Sequence, residues 1–356
     1  MNAALPLFPT TVIGSMPRPQ FVRDLLAMHG RADAPDEEWQ GRMDAAVAYV
    51  IALQEQAGID IISDGEWRRA SYVDVVAEIM SGFEYQDRDF FRYHQCVVRR
   101  MEPVRPGLLA EEARFLKARA GHRTKVCLPS PYLLGQRMWE QARSGAAYST
   151  REEFEQALVP VLRGELLALR ESGVDVIQID EPHLCILVDP AVRAQFADPD
   201  AEAARAVDLI NQVVDGVEDK HVSVHLCRRN WGRMGWGAAG GYEPIMPFLQ
   251  RLKVTQLMME FSIPVAGDFR ILEELPENLQ LGIGCVDVRF PEIEAAELIA
   301  ERVERALEFV RPERVTLNPD CGFAPGADND IPLEEAYAKL KHEALAAGLL
   351  REKHGA

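Results

Sequence analysis

Eight short apolar runs recur along this chain, and each stops abruptly at a polar residue, a glycine or a proline. They are TVIGSMP (11–17), IDIISDGE (59–66), TKVCLPSP (124–131), VDVIQIDEP (174–182), HVSVHLC (221–227), TQLMMEFS (255–262), LQLGIGCVD (279–287) and RVTLNPDCGF (314–323). Runs of this length, bounded by turn residues, read as buried strands, and longer stretches with helical spacing separate them. Apolar positions 47, 50, 51 and 53 share one helical face that ends near Gly58. From Thr150 to Glu171 a second helix is expected, with Thr150 as N-cap and Glu153 completing a capping box. A third should begin at Pro291, where proline and acidic residues suit a helix N-terminus. Eight alternations predict a parallel α/β fold, and the count favours a closed (β/α)8 TIM barrel, one domain over residues 1–356. Residues 83–122 break the rhythm: they are aromatic-rich and alternating, which predicts a β-hairpin insertion between strands two and three, suited to a lid or an oligomer contact.

In such a barrel chemistry gathers at the C-terminal ends of the strands. Here those ends carry Ser15, Asp64, Glu66, Ser130, Asp180, Glu181, His225, Cys227, Glu260, Asp287, Asp320 and Cys321. His225 and Cys227 stand two apart, so their side chains leave a strand on the same side. Alone the pair is a weak signal. With Glu260 and Cys321 at two later strand ends it becomes a set of four donors that zinc accepts, drawn from three strands. A zinc ion with two thiolates, an imidazole and a carboxylate can bind a further thiol and hold it deprotonated at neutral pH.

Other ends admit two readings each. Glu66 and Asp180 can hold a substrate ammonium, or they can pair structurally with neighbours such as Arg68 and Arg69. The N–H groups of the Ile13–Gly14–Ser15 turn can hold a carboxylate, or Gly14 simply eases a turn before Pro17. Trp231 and Trp236 follow the metal pair and read as loop anchors rather than as a wall over the site.

Charge and cysteine usage narrow the partners. The net charge is −17 with no basic tract, which argues against nucleic acid and against an anionic membrane surface. No apolar run reaches the roughly 20 residues that span a bilayer. The start, MNAALPLFPT, lacks the features of a secretory signal, and the six scattered cysteines suit a reducing compartment, so a cytoplasmic location is expected.

Over nearly its whole length the chain resembles the cobalamin-independent methionine synthases, in their zinc-bearing C-terminal barrel. The likeness lies in TVIGSMPRP, DGEWRR, VIQIDEP, HLC, MEFS and NPDCG, in the family's order. The resemblance implies zinc on His225, Cys227, Glu260 and Cys321, the homocysteine amine on Glu66 and Asp180, and its carboxylate on Ile13–Ser15. It implies methyl transfer to homocysteine in methionine biosynthesis. Three family features are missing: the second, N-terminal barrel, the tryptophan that stacks on folate, and the proton-donating histidine after strand seven. Arg289, in the turn opened by Asp287, stands at that last position. The chain is therefore closer to the short, single-barrel relatives, which leaves the donor open between a methylfolate and a methylcorrinoid. An arginine there suits a donor whose leaving group needs no proton, since guanidinium does not give one up at neutral pH. Alkyl transfer to another thiol, as in the epoxyalkane:coenzyme M transferases, is the alternative. A corrinoid-protein partner and a homo-oligomer are both compatible with the sequence.

Overall fold

The computed structural model describes residues 5–28, 36–85, 95–217, 219–230, 233, 235–324 and 331–355. Trp231 and the tip of the expected insertion, residues 86–94, lie outside them. Among the described residues nine strands form: β1 Ile61–Ile62, β2 Phe83–Tyr85, β3 Gln95–Val97, β4 Arg123–Pro129, β5 Val176–Asp180, β6 His221–Leu226, β7 Gln256–Glu260, β8 Gln280–Val286 and β9 Val315–Pro319. Seven make one parallel sheet in the order β1-β4-β5-β6-β7-β8-β9. Their residues are almost all buried, as in parallel sheets covered on both faces.

This corrects the expected closed barrel. The sheet is an open, curled seven-stranded one, with β1 and β9 as its ends. The stretch 11–17 forms no ladder. It contributes only single parallel bridges, Thr10 to Leu317 and Thr11 to Ile61. The reason is local. Pro9 and Pro17 lack the N–H that a ladder needs, and Gly14 and Ser15 turn the backbone away between them.

Two helix boundaries behave differently. The helix Arg151–Ser172 starts as expected, with the Thr150 hydroxyl accepting from Glu153 N at 3.1 Å. The return bond of the capping box goes one residue back, however, from Ser149 N to the Glu153 carboxylate at 2.7 Å. The helix expected at Pro291 begins instead at Ala296. Glu294 explains the delay: it accepts from Asp287 N at 3.0 Å and from Arg302 at 2.6 Å, which holds residues before 296 extended across the strand end. In the insertion, β2 and β3 pair antiparallel, Glu84 facing Cys96, but residues Leu108–Arg119 are helical rather than part of a hairpin.

The parallel register sets the site. It aligns Asp180 with His225 and Glu260 with Gly284, so the polar strand ends come out at one end of the sheet. Among the described residues no helix is long and apolar enough to cross a membrane.

Candidate active site

Three of the four expected metal donors converge. One ligand atom each from His225, Cys227 and Cys321 lies within 4.8 Å of the others. His225 is the penultimate residue of β6, Cys227 follows that strand directly, and Cys321 sits two residues past β9. All six cysteines are free thiols. Cys227, hydrogen-bonded to Cys321, is pushed up in pKa, while Cys321 is drawn down to about 7 by that bond and by nearby His225. A thiol that ionises so readily is a good metal donor.

Glu260 does not join this cluster. One of its carboxylate oxygens pairs with the guanidinium of Arg289. The other accepts from the Arg228 backbone N–H at 2.7 Å, with the Arg228 guanidinium 3.5 Å away. Both arginines and Glu260 are wholly buried. Arg289 also lies 3.4 Å from Asp320, the neighbour of Cys321. Arg289 is thus engaged by carboxylates of the protein itself, not presented to a donor. Asp287 shapes the turn below it, accepting from Arg289 N at 2.8 Å.

A second buried group adjoins the first. Ligand atoms of Glu66, Cys127 and Asp180 lie within 4.8 Å of one another. Asp180 links the two groups, 3.3 Å from His225 Nδ1. Burial, helped by the nearby Asp180 and opposed by Arg69, raises the Glu66 carboxyl to about 7. Among the described residues nothing donates to that carboxylate. Glu66 is held with φ +55, in the left-handed region, right after Gly65 at φ +68. Such strain in a non-glycine residue persists where the surroundings enforce it, often at functional sites.

The Ile13–Ser15 turn closes this group from above. Gln178 Nε2 and the Cys127 thiol donate to the Ile13 carbonyl at 2.7 and 3.1 Å. A Cβ at position 14 would lie 2.8 Å from both Cys127 Sγ and Glu66 Oε1, so any larger residue would push these two side chains out of place. The Gly14 and Ser15 N–H groups donate to no acceptor among the described residues. Trp236 packs partly buried against the core, as a loop anchor does.

Several functional neighbours were not singled out in the sequence. Lys125 is fully buried, donates to Gln178 Oε1 at 2.9 Å, and is lowered in pKa to about 8 by burial. Gln178 passes the contact on to Asp180 at 2.8 Å. Arg69 holds Glu112 at 2.6 Å and the Cys127 carbonyl at 2.8 Å beneath the Glu66 turn. The signal for Lys125 and Cys127 was present: a lysine and a thiol two apart in an apolar run share one face of the strand. Arg228, adjacent to Cys227, offered no pattern beyond its position.

Residues 8–348 match the family described as the cobalamin-independent synthase catalytic domain. A methionine synthase of Saccharolobus islandicus (strain L.S.2.15) is 30% identical over 98% of this chain and 96% of its own length. One from Sulfurisphaera tokodaii is 27% identical over 98% and 94%. In three dimensions the chain is similar to a B12-independent methionine synthase from Shewanella sp. W3-18-1, solved with selenomethionine, at TM-score 0.79 and 23% identity, covering 98% of this chain and 99% of that one.

Proposed function

The chain belongs to the cobalamin-independent synthase family, of which it is a catalytic domain, and we propose that it carries out methyl transfer of the methionine-synthase type, from a methyl donor to the sulfur of homocysteine. The observation that carries this reading is the junction at Asp180. Its carboxylate touches His225 of the sulfur-and-imidazole cluster and belongs at the same time to the Glu66 group. A substrate with a thiol at one end and an α-amino group at the other matches that junction.

The donor set fits zinc: two thiols and an imidazole, mutually close, with His225 and Cys227 buried and Cys321 half-buried, are its usual ligands. His225, Cys227 and Cys321 would hold the ion, with Glu260, whose charge acts on all three, as the fourth donor. Zinc supplies charge that lowers the pKa of a thiol bound there. The protein's own residues do the rest. Glu66 and Asp180 take the ammonium by charge-assisted hydrogen bonds. The Gly14 and Ser15 N–H groups take the carboxylate. Held at both ends, the sulfur is aimed at one spot, which removes much of the entropic barrier to displacement. The homocysteine thiol releases its proton to solvent, its sulfur attacks the methyl carbon, and the bond from that carbon to the donor breaks with the electron pair leaving on the donor.

The test is calorimetric titration of the zinc-loaded protein with L-homocysteine and, separately, with coenzyme M, following proton release. Homocysteine is expected to bind with about one proton released per site, and coenzyme M, which has no amine, to bind far more weakly. Equal binding of the two overturns the amine assignment.

A further inference from the structure

The stretch 11–14 reaches the site without the ladder that fixes an ordinary strand, and side chains hold it in place. Glu343, from the helix Leu333–His354, accepts from Thr11 N at 3.2 Å. Lys125 donates to the Val12 carbonyl. Gln178 Nε2 and the Cys127 thiol donate to the Ile13 carbonyl at 2.7 and 3.1 Å, and Ser63 Oγ to the Gly14 carbonyl at 2.7 Å. Gln178 does more than its neighbours, because it bonds to both sides of the proposed substrate site. Its Nε2 carries two hydrogens: one goes to the Ile13 carbonyl and the other to Asp180 Oδ1, at 2.8 Å. Asp180 lies two residues further along β5 and so shares its face. Lys125 decides which way the amide turns. It offers donors only, while the Ile13 carbonyl and the Asp180 carboxylate accept, so one orientation satisfies all three. The oxygen faces Lys125 Nζ at 2.9 Å and the nitrogen faces the other two. Lys125 and Gln178 are both out of water. Burying an ammonium is costly, and a methionine would fill the same length, so packing alone does not account for a lysine here.

An α-amino acid carries its ammonium and its carboxylate on one carbon, so the groups that hold them must stand close together at a fixed spacing. We propose that Gln178, oriented by Lys125, sets that spacing: one amide ties the Asp180 carboxylate to the Ile13–Ser15 turn. The site then takes thiols whose ammonium and carboxylate share a carbon, and it discriminates against thiols in which the two are further apart. Both are positioning residues, acting through the groups they hold. The inference rests on the homocysteine reading above and adds to it the device that selects among amino thiols. It also explains why the turn is pinned by side chains. A regular ladder would fix the backbone of 11–15 to its neighbouring strands, whereas the Gln178 amide fixes it directly to the residue that faces the ammonium.

The experiment is calorimetric titration of the zinc-loaded full chain, as wild type, Q178M and K125M, with four thiols. These are L-homocysteine, aminopropanethiol (no carboxylate), mercaptobutyrate (no amine) and the β-amino homologue of homocysteine, in which a methylene separates the two groups. Wild type is expected to bind homocysteine at least tenfold more tightly than the β-amino homologue. Q178M and K125M keep side-chain length and lose the polar end. Both are expected to bind homocysteine at least tenfold more weakly than wild type, while aminopropanethiol and mercaptobutyrate, which need one holder each, change less than threefold. The preference over the β-amino homologue should shrink with the same substitutions. A general structural defect would instead weaken all four thiols alike, and that outcome overturns the proposal. So does a variant that keeps the full preference, or a wild type that binds homocysteine and its β-amino homologue equally. Should Q178M fail to fold, K125M and the wild-type comparison decide. A wild type that binds no homocysteine, or binds it no better than aminopropanethiol and mercaptobutyrate, overturns the underlying reading and this proposal with it. A wild type that favours homocysteine over both of those thiols, with any of the contrary results above, overturns the proposal only.

Discussion

A single carboxylate shows how residue identity and residue placement separate. Glu66 and Glu260 are both glutamates at the C-terminal ends of apolar runs, and the sequence treats them alike. Folding gives Glu260 two arginines and leaves Glu66 without a donor among the described residues. The partners of Glu260 come from the loops after β6 and β8, at distances in sequence that no local pattern encodes. The pairing of His225 with Cys227 was readable because both lie on one extended run, the end of β6 and the residue just past it, where a spacing of two fixes the side. For Glu66, Glu66→Gln should raise the KM for homocysteine about 10–100-fold with a small change in kcat, the loss expected for one hydrogen bond to a charged group. A thiol of similar size without an amine should bind the variant and the wild type equally. Steady-state kinetics and competitive binding with the two thiols check this, and an equal loss for both would assign Glu66 to folding instead.

Among the elements, those defined by their own sequence were the legible ones. The helix Arg151–Ser172 declares its start in Thr150 and its end in Gly173, which adopts φ +79. Thr150→Ala removes the bond to Glu153 N and should cost about 1 kcal/mol of stability, measured by urea unfolding with an unchanged slope. Elements whose limits depend on tertiary partners were less legible. The helix at Ala296 starts late because Glu294 is bound to Arg302 and the Asp287 backbone. The stretch 11–17 has the apolar character of a strand, yet its prolines and the Gly14 turn reduce its pairing to two bridges. That departure serves the site. Pairing through residue 15 would spend on the sheet the N–H groups of Gly14 and Ser15, which are instead available to a carboxylate. Where the fold departs from a regular barrel is thus where the substrate reading needs it to.

For the molecule as a whole, the strand ends concentrate acids in a chain already at −17. Burial raises Glu66, Glu181 and Asp320 to about 7 and Glu112 to about 6. Unfolded, such groups titrate near their ordinary values, so between about pH 5 and 7 the native state keeps protons that the unfolded chain has released. Stability contributed by a raised carboxyl is fully present below the unfolded pKa and is lost as pH rises through the folded one. His183 and His221 act in the opposite direction, since burial lowers both and favours folding as they lose their protons. The acids outnumber them, and growing negative self-repulsion adds to the same trend. The chelated, metal-free protein is therefore expected to lose stability from pH 5 to pH 7, as read by urea midpoints in matched buffers. Glu181 allows a clean check because it lies outside the donor clusters, held by Ser130 Oγ and by Leu184 N at 2.9 Å. The part of its shift that falls in this window corresponds to about 2 kcal/mol, so Glu181→Gln should visibly flatten the decline. A wild-type profile that rises from pH 5 to 7, or a variant with the same slope as wild type, would show that these acids are ionised in the native state and that the site is wetter than its geometry implies. A decline that flattens in the variant would mean that the mouth is dry enough to hold protons on carboxyls, the same dryness that makes a charge pair such as Glu260 with Arg289 costly to break.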